Sequence, residues 1–114
     1  KQINLLSTPD LYQSLKCTLH AYNLNPEISG LQTLKDKETD RVFAVDKELK
    51  KLSTLKVIET YKDHRMAMSF APLCLKYGEL QINNTEVVSK SYPNFWKDLE
   101  KGGFIISPLS GSNN

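Results

Sequence analysis

The chain has 114 residues, 39% of them hydrophobic and 25% charged, the composition of one ordinary globular domain with a single core. Fifteen Lys and Arg against thirteen Asp and Glu leave a formal net charge of +2, too small a surplus to argue for a nucleic-acid groove or an anionic membrane surface, so any anion site has to be local. The longest apolar run, FAPLCL from Phe70 to Leu75, falls far short of the roughly twenty residues a spanning helix needs, no signal peptide is visible, and the chain reads as cytosolic.

It opens on Lys1, without an initiator Met, and runs into the apolar stretch INLL, which reads as a piece of something longer. STPD predicts a first helix: Ser7 or Thr8 as cap, Pro9 at the first helical position, and Leu11, Leu15, Leu19 and Tyr22 as its apolar stripe, with NLNP ending it. Cys17 and Cys74 sit in apolar helical patterns with no CxxC and no nearby His, so reduced core thiols are expected rather than a disulfide or a metal site. EISGL is a short strand. After the charged stretch KDKETDR, Val42, Val45, Leu49 and Leu52 make a second stripe, opposite a solvated face of Asp46, Lys47, Lys50 and Lys51. LKVIETY is strand-like. Asp63 then caps a helix whose Met66, Ala67, Phe70, Ala71, Leu73 and Cys74 are apolar around much of the circumference, which predicts burial. Gly78 ends it, ELQIN is another strand, Asn83 and Asn84 turn the chain, and Pro93 opens a last short helix with Phe95, Trp96 and Leu99. FIIS is expected as a closing strand and SPLSGSNN as a fraying tail. The alternation of helix and strand gives a mixed α/β (α+β) class.

KDKETDR places three cations and three carboxylates in seven consecutive positions at a predicted helix start. Glu38 and Asp40 suit a first turn, where the macrodipole favours acids, but Lys37 and Arg41 are on its unfavourable side. Arg65 lies in the first turn of the next long helix, and Lys90 precedes the last one. Free backbone N–H groups at helix starts attract anions, and an added guanidinium or ammonium makes a site for phosphate or carboxylate. Several such positions suggest a small ligand carrying more than one negative charge. Each cation taken singly also reads as an ordinary surface residue. Asp10 and Glu38 equally read as dipole-favouring acids, His64 as a proton carrier or a structural hydrogen-bonding group, and Tyr92 and Trp96 as packing for the last helix. The residues alone point to an anion-binding α/β domain.

The stretches TPD, LKDKETDR, TYKDHRMAMSF and VVSKSYPNFW, in this order, closely resemble the carboxy-terminal part of the EPSP synthases, the 3-phosphoshikimate 1-carboxyvinyltransferase family of the shikimate pathway. The resemblance runs from about Ser7 to Phe104. It implies an enzyme without metal or organic cofactor that joins phosphoenolpyruvate to shikimate 3-phosphate and releases phosphate, with glyphosate as a candidate inhibitor. It implies βαβαββ folding units of an α/β prism, of which roughly one and a half are present. Residues 1–106 would form part of the carboxy-terminal domain and 107–114 a flexible tail. Partners would be the two substrates and a missing amino-terminal domain, with no nucleic acid and no membrane, in a monomeric whole enzyme.

Residue by residue, the resemblance makes Asp10 a ligand of the shikimate hydroxyls and a candidate base, with Lys37 in the same region. Glu38 would be the general acid and base at the phosphoenolpyruvate methylene. Arg41, Arg65 and Lys90 would hold that substrate's carboxylate and phosphate, and His64 would line the site. On this view Lys37 and Arg41 tolerate the dipole because substrate anions balance their charge. Two departures accompany the resemblance. The segment between Leu52 and TYKDHRM is shorter than in the family, with Ser53 and Thr54 making the join, which suggests an omitted segment. Thr33 stands where some relatives carry an Asn that contacts the shikimate phosphate. The enzyme alternative is the sister transferase acting on UDP-N-acetylglucosamine, against which KETDR and DHRMAM weigh. The alternative of another class is a non-catalytic anion-binding fragment.

Overall fold

A computed structural model describes residues 2–34 and 40–108. The fold is built from two parallel strand pairs, each with helix between its strands, which is the mixed helix and sheet architecture expected from the alternation. β1 (Gln2–Asn4) leads through a 3-10 turn (Pro9–Leu11) into α1 (Tyr12–Ala21), and the chain returns as β2 (Glu27–Ser29) with Ile3 opposite Ile28. α2 (Arg41–Lys51) crosses to β3 (Val57–Ile58). α3 (His64–Phe70), a 3-10 turn (Ala71–Leu73) and α4 (Cys74–Tyr77) then lead to β4 (Gln81–Ile82), which lies parallel to β3. A 3-10 turn (Thr85–Val88) and α5 (Phe95–Lys101) follow.

β1 was not among the expected strands; Gln2, Ile3 and Asn4 pair with Glu27, Ile28 and Ser29, and Leu5 N–H extends the ladder to Ser29 O at 2.9 Å. The pairing is close enough to require glycine at the end of β2. Gly30 has φ +79°, and a Cβ there would lie 2.3 Å from Leu6 N.

The buried face of α1 is rotated from the expected one. Tyr12, Gln13 and Cys17 face inward, whereas Leu11 and Tyr22 are exposed, 52% and 73%. Polar anchoring selects this face: Tyr12 donates to Asp46 on α2 at 3.0 Å, and Gln13 donates to Asp63 at 3.3 Å. Asp46 therefore takes part in packing rather than in a purely solvated face. Neither Ser7 nor Thr8 provides a side-chain cap; Thr8 occupies the cap position without a side-chain bond.

The α2 stripe appears largely as read, with Val45, Leu49 and Leu52 buried and Val42 packed at the edge. Two charged residues share it, Arg41 and Glu48, 3% and 0% exposed. Asp40 is the cap rather than a first-turn acid, accepting from Phe43 N–H at 3.2 Å. Asp63 caps α3 as expected, but Pro72 cannot continue the hydrogen-bond ladder, so the long buried helix is broken into α3, a 3-10 turn and α4. Gly78, at φ +88°, ends α4.

β3 is shorter than LKVIETY. Leu55 and Lys56 are not in the strand, so the connection from α2 is longer than the two residues Ser53 and Thr54. The main core gathers Leu34, Ala44, Val45, Ile58, Met66 and Phe70, all fully buried. A second cluster joins Ala67 and Ala71 to Val88 and Phe95, with Trp96 and Leu99 against it. FIIS does not form a strand. Phe104 N–H instead closes the end of α5 on Leu99 O at 3.1 Å, and Ile105 is 96% exposed. Both cysteines are free thiols, Cys17 buried and Cys74 half-buried, and burial pushes both thiols up from their ordinary pKa. No described helix is long and apolar enough to cross a membrane.

Candidate anion site

Three of the residues singled out in the sequence converge on one cluster. Asp10 comes from the turn before α1, Arg41 is the first residue of α2, and Arg65 is the second residue of α3. Arg41 Nη1 donates to Asp10 Oδ1 at 3.1 Å, and Arg65 Nη2 lies 3.9 Å from Asp10 Oδ2. The Asp10 carboxylate thus sits between two guanidiniums while remaining 48% exposed in its side chain, so the cluster opens to solvent through Asp10.

Beneath it lies a residue that the sequence marked only as a helix cap. Asp63 is fully buried and accepts three hydrogen bonds: from Arg41 Nε at 2.8 Å, from the Arg65 backbone N–H at 2.9 Å and from Gln13 Nε2 at 3.3 Å. One carboxylate therefore fixes the guanidinium of α2 and the start of α3 relative to each other, and a buried carboxylate needs such partners to remain charged. The sequence carried one usable signal for this, the DHR triplet, in which Asp63 precedes both His64 and Arg65.

The two arginines differ in what they have left to give. The Arg41 side chain is closed to solvent, and its charge is met by Asp63 and Asp10 within the protein. These two carboxylates reach the start of α2 from the turn before α1 and from the cap of α3. Arg65 is 37% exposed in its side chain, its contact with Asp10 is too long for a hydrogen bond, and its Nε is buried with no hydrogen-bond partner among the described residues. A buried N–H that the protein does not satisfy costs free energy until an acceptor reaches it. Gln13 Oε1, beside Asp63, is likewise buried with no partner among the described residues.

His64 is the first residue of α3 and half-buried beside the cluster. Lys90 is exposed after the Thr85–Val88 turn, and the ion pairs that gather Asp10, Arg41 and Arg65 do not include it. Lys37 and Glu38 lie outside the described residues. Thr33 is exposed in the turn before them. A surface groove of about 340 Å³ between α1 and α2 is lined by Lys16, His20, Asn25, Asp46, Leu49 and Lys50 and contains none of the expected site residues. Among the described residues, no group of three or more His, Cys, Asp or Glu could hold a metal ion.

Comparison with known proteins adds what this geometry leaves open. The family profile described as EPSP synthase (3-phosphoshikimate 1-carboxyvinyltransferase) matches residues 1–99. A 3-phosphoshikimate 1-carboxyvinyltransferase of Bacteroides fragilis is 42% identical over 90% of this chain and 30% of its own length. Those of Methanoregula boonei and Aquifex aeolicus are 36% and 39% identical over 87% and 66% of the chain. The chain spans about 30% of the length of the Bacteroides relative. That alignment runs over 124 residues although 90% of the 114-residue chain takes part, so the relative carries additional residues within the matched stretch.

Proposed function

The chain belongs to the EPSP synthase family, and on that premise we propose that it is part of an enzyme that transfers the enolpyruvyl group of phosphoenolpyruvate to the 5-hydroxyl of shikimate 3-phosphate, releasing phosphate. The observation that carries the reading is the Asp10, Arg41 and Arg65 cluster, in which a half-exposed carboxylate lies beside a guanidinium with a buried, unsatisfied Nε. Both substrates are polyanions with hydroxyl or carboxylate groups of the kind these residues bind.

In the proposed chemistry, Glu38 protonates the methylene carbon of phosphoenolpyruvate, which leaves positive charge on the neighbouring carbon. The substrate hydroxyl adds there and gives up its proton, for which Asp10 is the candidate base. Return of the methyl proton to Glu38 restores the double bond as the bond to phosphate oxygen breaks and phosphate departs. Arg65, with Lys90 and the Asp10-paired Arg41, holds the phosphoenolpyruvate anions. Lys37 would serve the reacting hydroxyl, and His64 would line the pocket.

The finer architecture belongs to the same proposal. The order β1, α1, β2, α2 followed by β3, α3, α4, β4 fits one βαβαββ unit lacking its final strand pair, followed by the start of a second. Residues 1–106 would then be part of the carboxy-terminal domain, and 107–114 a tail. The remaining ligands would come from the rest of the longer enzyme. The test is phosphate release from phosphoenolpyruvate and shikimate 3-phosphate by this chain alone and by the chain joined to an amino-terminal domain from a relative. Release is expected in the joined protein and not in the chain by itself. Release by the chain alone would refute the shared cleft, and no release by a folded joined protein would refute the assignment.

A further inference from the structure

The approach to the cluster is a loop in an unusual conformation. Between β3 and α3 the chain passes through Glu59, Thr60, Tyr61 and Lys62, and the last two are consecutive left-handed residues, with φ +56° and +57°. Neither is glycine or asparagine, so the turn is disfavoured by its own side chains and persists only where the surroundings over-determine it. Asp63 follows directly, and with it the start of α3 that carries Arg65.

The restraint comes from one buried carboxylate. Glu48 on α2 is fully buried; its Oε1 accepts from Glu59 N–H at 3.0 Å and is paired with Lys51 Nζ at 2.6 Å, and its Oε2 accepts from the Tyr61 hydroxyl at 2.7 Å. Thr60 adds a bond from Oγ1 to Asn83 O at 3.0 Å. Arg41 and Glu48 stand seven positions apart on one face of α2, two helical turns. The first grips the loop at its end through Asp63, and the second grips its start and middle.

We infer that Glu48 is a positioning residue for the anion site: by holding the Glu59 amide and the Tyr61 hydroxyl, it keeps the left-handed Tyr61–Lys62 turn that sets Asp63 against Arg41 and Arg65 beside Asp10. The inference rests on the anion-binding reading of the cluster, and Glu48 itself touches no ligand. A merely structural Glu48 would lower stability when replaced but leave the affinity of the folded chain unchanged. A positioning Glu48 lowers affinity in protein that is still folded, and the loss is repaired by relieving the turn.

The test uses the full chain with inorganic phosphate as probe, followed by NMR at a temperature where circular dichroism shows each variant folded. Glu48→Gln and the milder Tyr61→Phe are expected to weaken phosphate binding about tenfold and severalfold, as a small misplacement of a binding group does. Lys62→Gly, placed in the Glu48→Gln background, should restore much of the affinity, because glycine adopts positive φ without penalty and the Lys62 side chain is exposed. Leu49→Ala, which leaves a cavity on the same helix, should lower stability without this loss of affinity. Should Glu48→Gln fail to fold, Tyr61→Phe with and without Lys62→Gly decides. Unchanged affinity in the folded variants, or no repair by glycine, overturns the role of Glu48 while leaving the anion site standing. Failure of the unsubstituted chain to bind phosphate at millimolar concentration overturns the anion reading and this inference with it.

Discussion

Arg41 Nε and Asp63 Oδ2 meet at 2.8 Å with both side chains closed to solvent, 4% and 0% exposed, so two charges from α2 and the cap of α3 are buried as a pair. Desolvating such charges is costly, and the pair is tolerated because Asp10, Gln13 and the Arg65 amide complete the hydrogen bonding around it.

Removing one member should therefore do more damage than an ordinary surface change. Asp63→Ala is expected to cost about 3 to 5 kcal/mol, because it leaves Arg41 buried with one partner lost and removes the cap of α3. Asp63→Asn retains an acceptor for the Arg65 amide and should cost less. Urea denaturation of both variants measures the difference; equal and small losses would mean that water or another group satisfies Arg41.

Arg65 separates charge from geometry. Lysine in its place retains the charge but lacks the planar fork and the Nε whose partner is missing. In the longer enzyme, Arg65→Lys should weaken phosphoenolpyruvate binding while largely sparing shikimate 3-phosphate. Calorimetric titration of the two ligands separates these effects, and equal losses for both would count against the assignment.

Glu38 is the proposed proton carrier, and glutamine preserves its size while removing the exchangeable proton. In the longer enzyme, Glu38→Gln should lower kcat by a factor on the order of 10² to 10⁴, with dissociation constants moving much less. Rapid-quench turnover is the first measurement, together with deuterium incorporation from solvent into the phosphoenolpyruvate methylene. Near-normal exchange and turnover would move the role to His64 or Asp10.

His20 provides a pH signature away from the cluster. Burial, aided by Lys76 and Lys16, lowers its pKa below the ordinary 6.5, and its Nε2 meets the Tyr77 hydroxyl at 2.5 Å. The unfolded chain then takes up this proton at higher pH than the folded one, so the contribution is intact above about pH 6.5 and is lost as pH falls through the folded pKa. Chemical denaturation of His20→Gln between pH 7 and pH 5 should show a shallower fall in stability than the unsubstituted chain. Identical slopes would show that His20 titrates alike in both states.

Much of the local structure was legible because it depends on local chemistry. The Asp63 cap, the Gly78 stop, the α2 stripe and the apolar α3 are each set by residues within one or two turns of one another. The short β1 and the absent closing strand were not, since two- and three-residue strands are made by their partners rather than by their own pattern. The face of α1 was misplaced because a stripe of leucines and its neighbour one residue away are nearly equivalent until Asp46 and Asp63 anchor Tyr12 and Gln13.

The stretches TPD, LKDKETDR, TYKDHRMAMSF and VVSKSYPNFW carry the family resemblance without any structure, and they include Asp10, Arg41 and Arg65. Tertiary structure alone decided which charges are buried and what each one does. Arg41 and Asp63 are 22 residues apart, and Glu48 reaches Glu59 and Tyr61 across 11 and 13. Composition assigns every one of these charges to water. Burial becomes possible only when separate elements bring complementary charges and donors within hydrogen-bond distance, because a charge removed from water is stable only when opposite charge and hydrogen bonds replace its hydration.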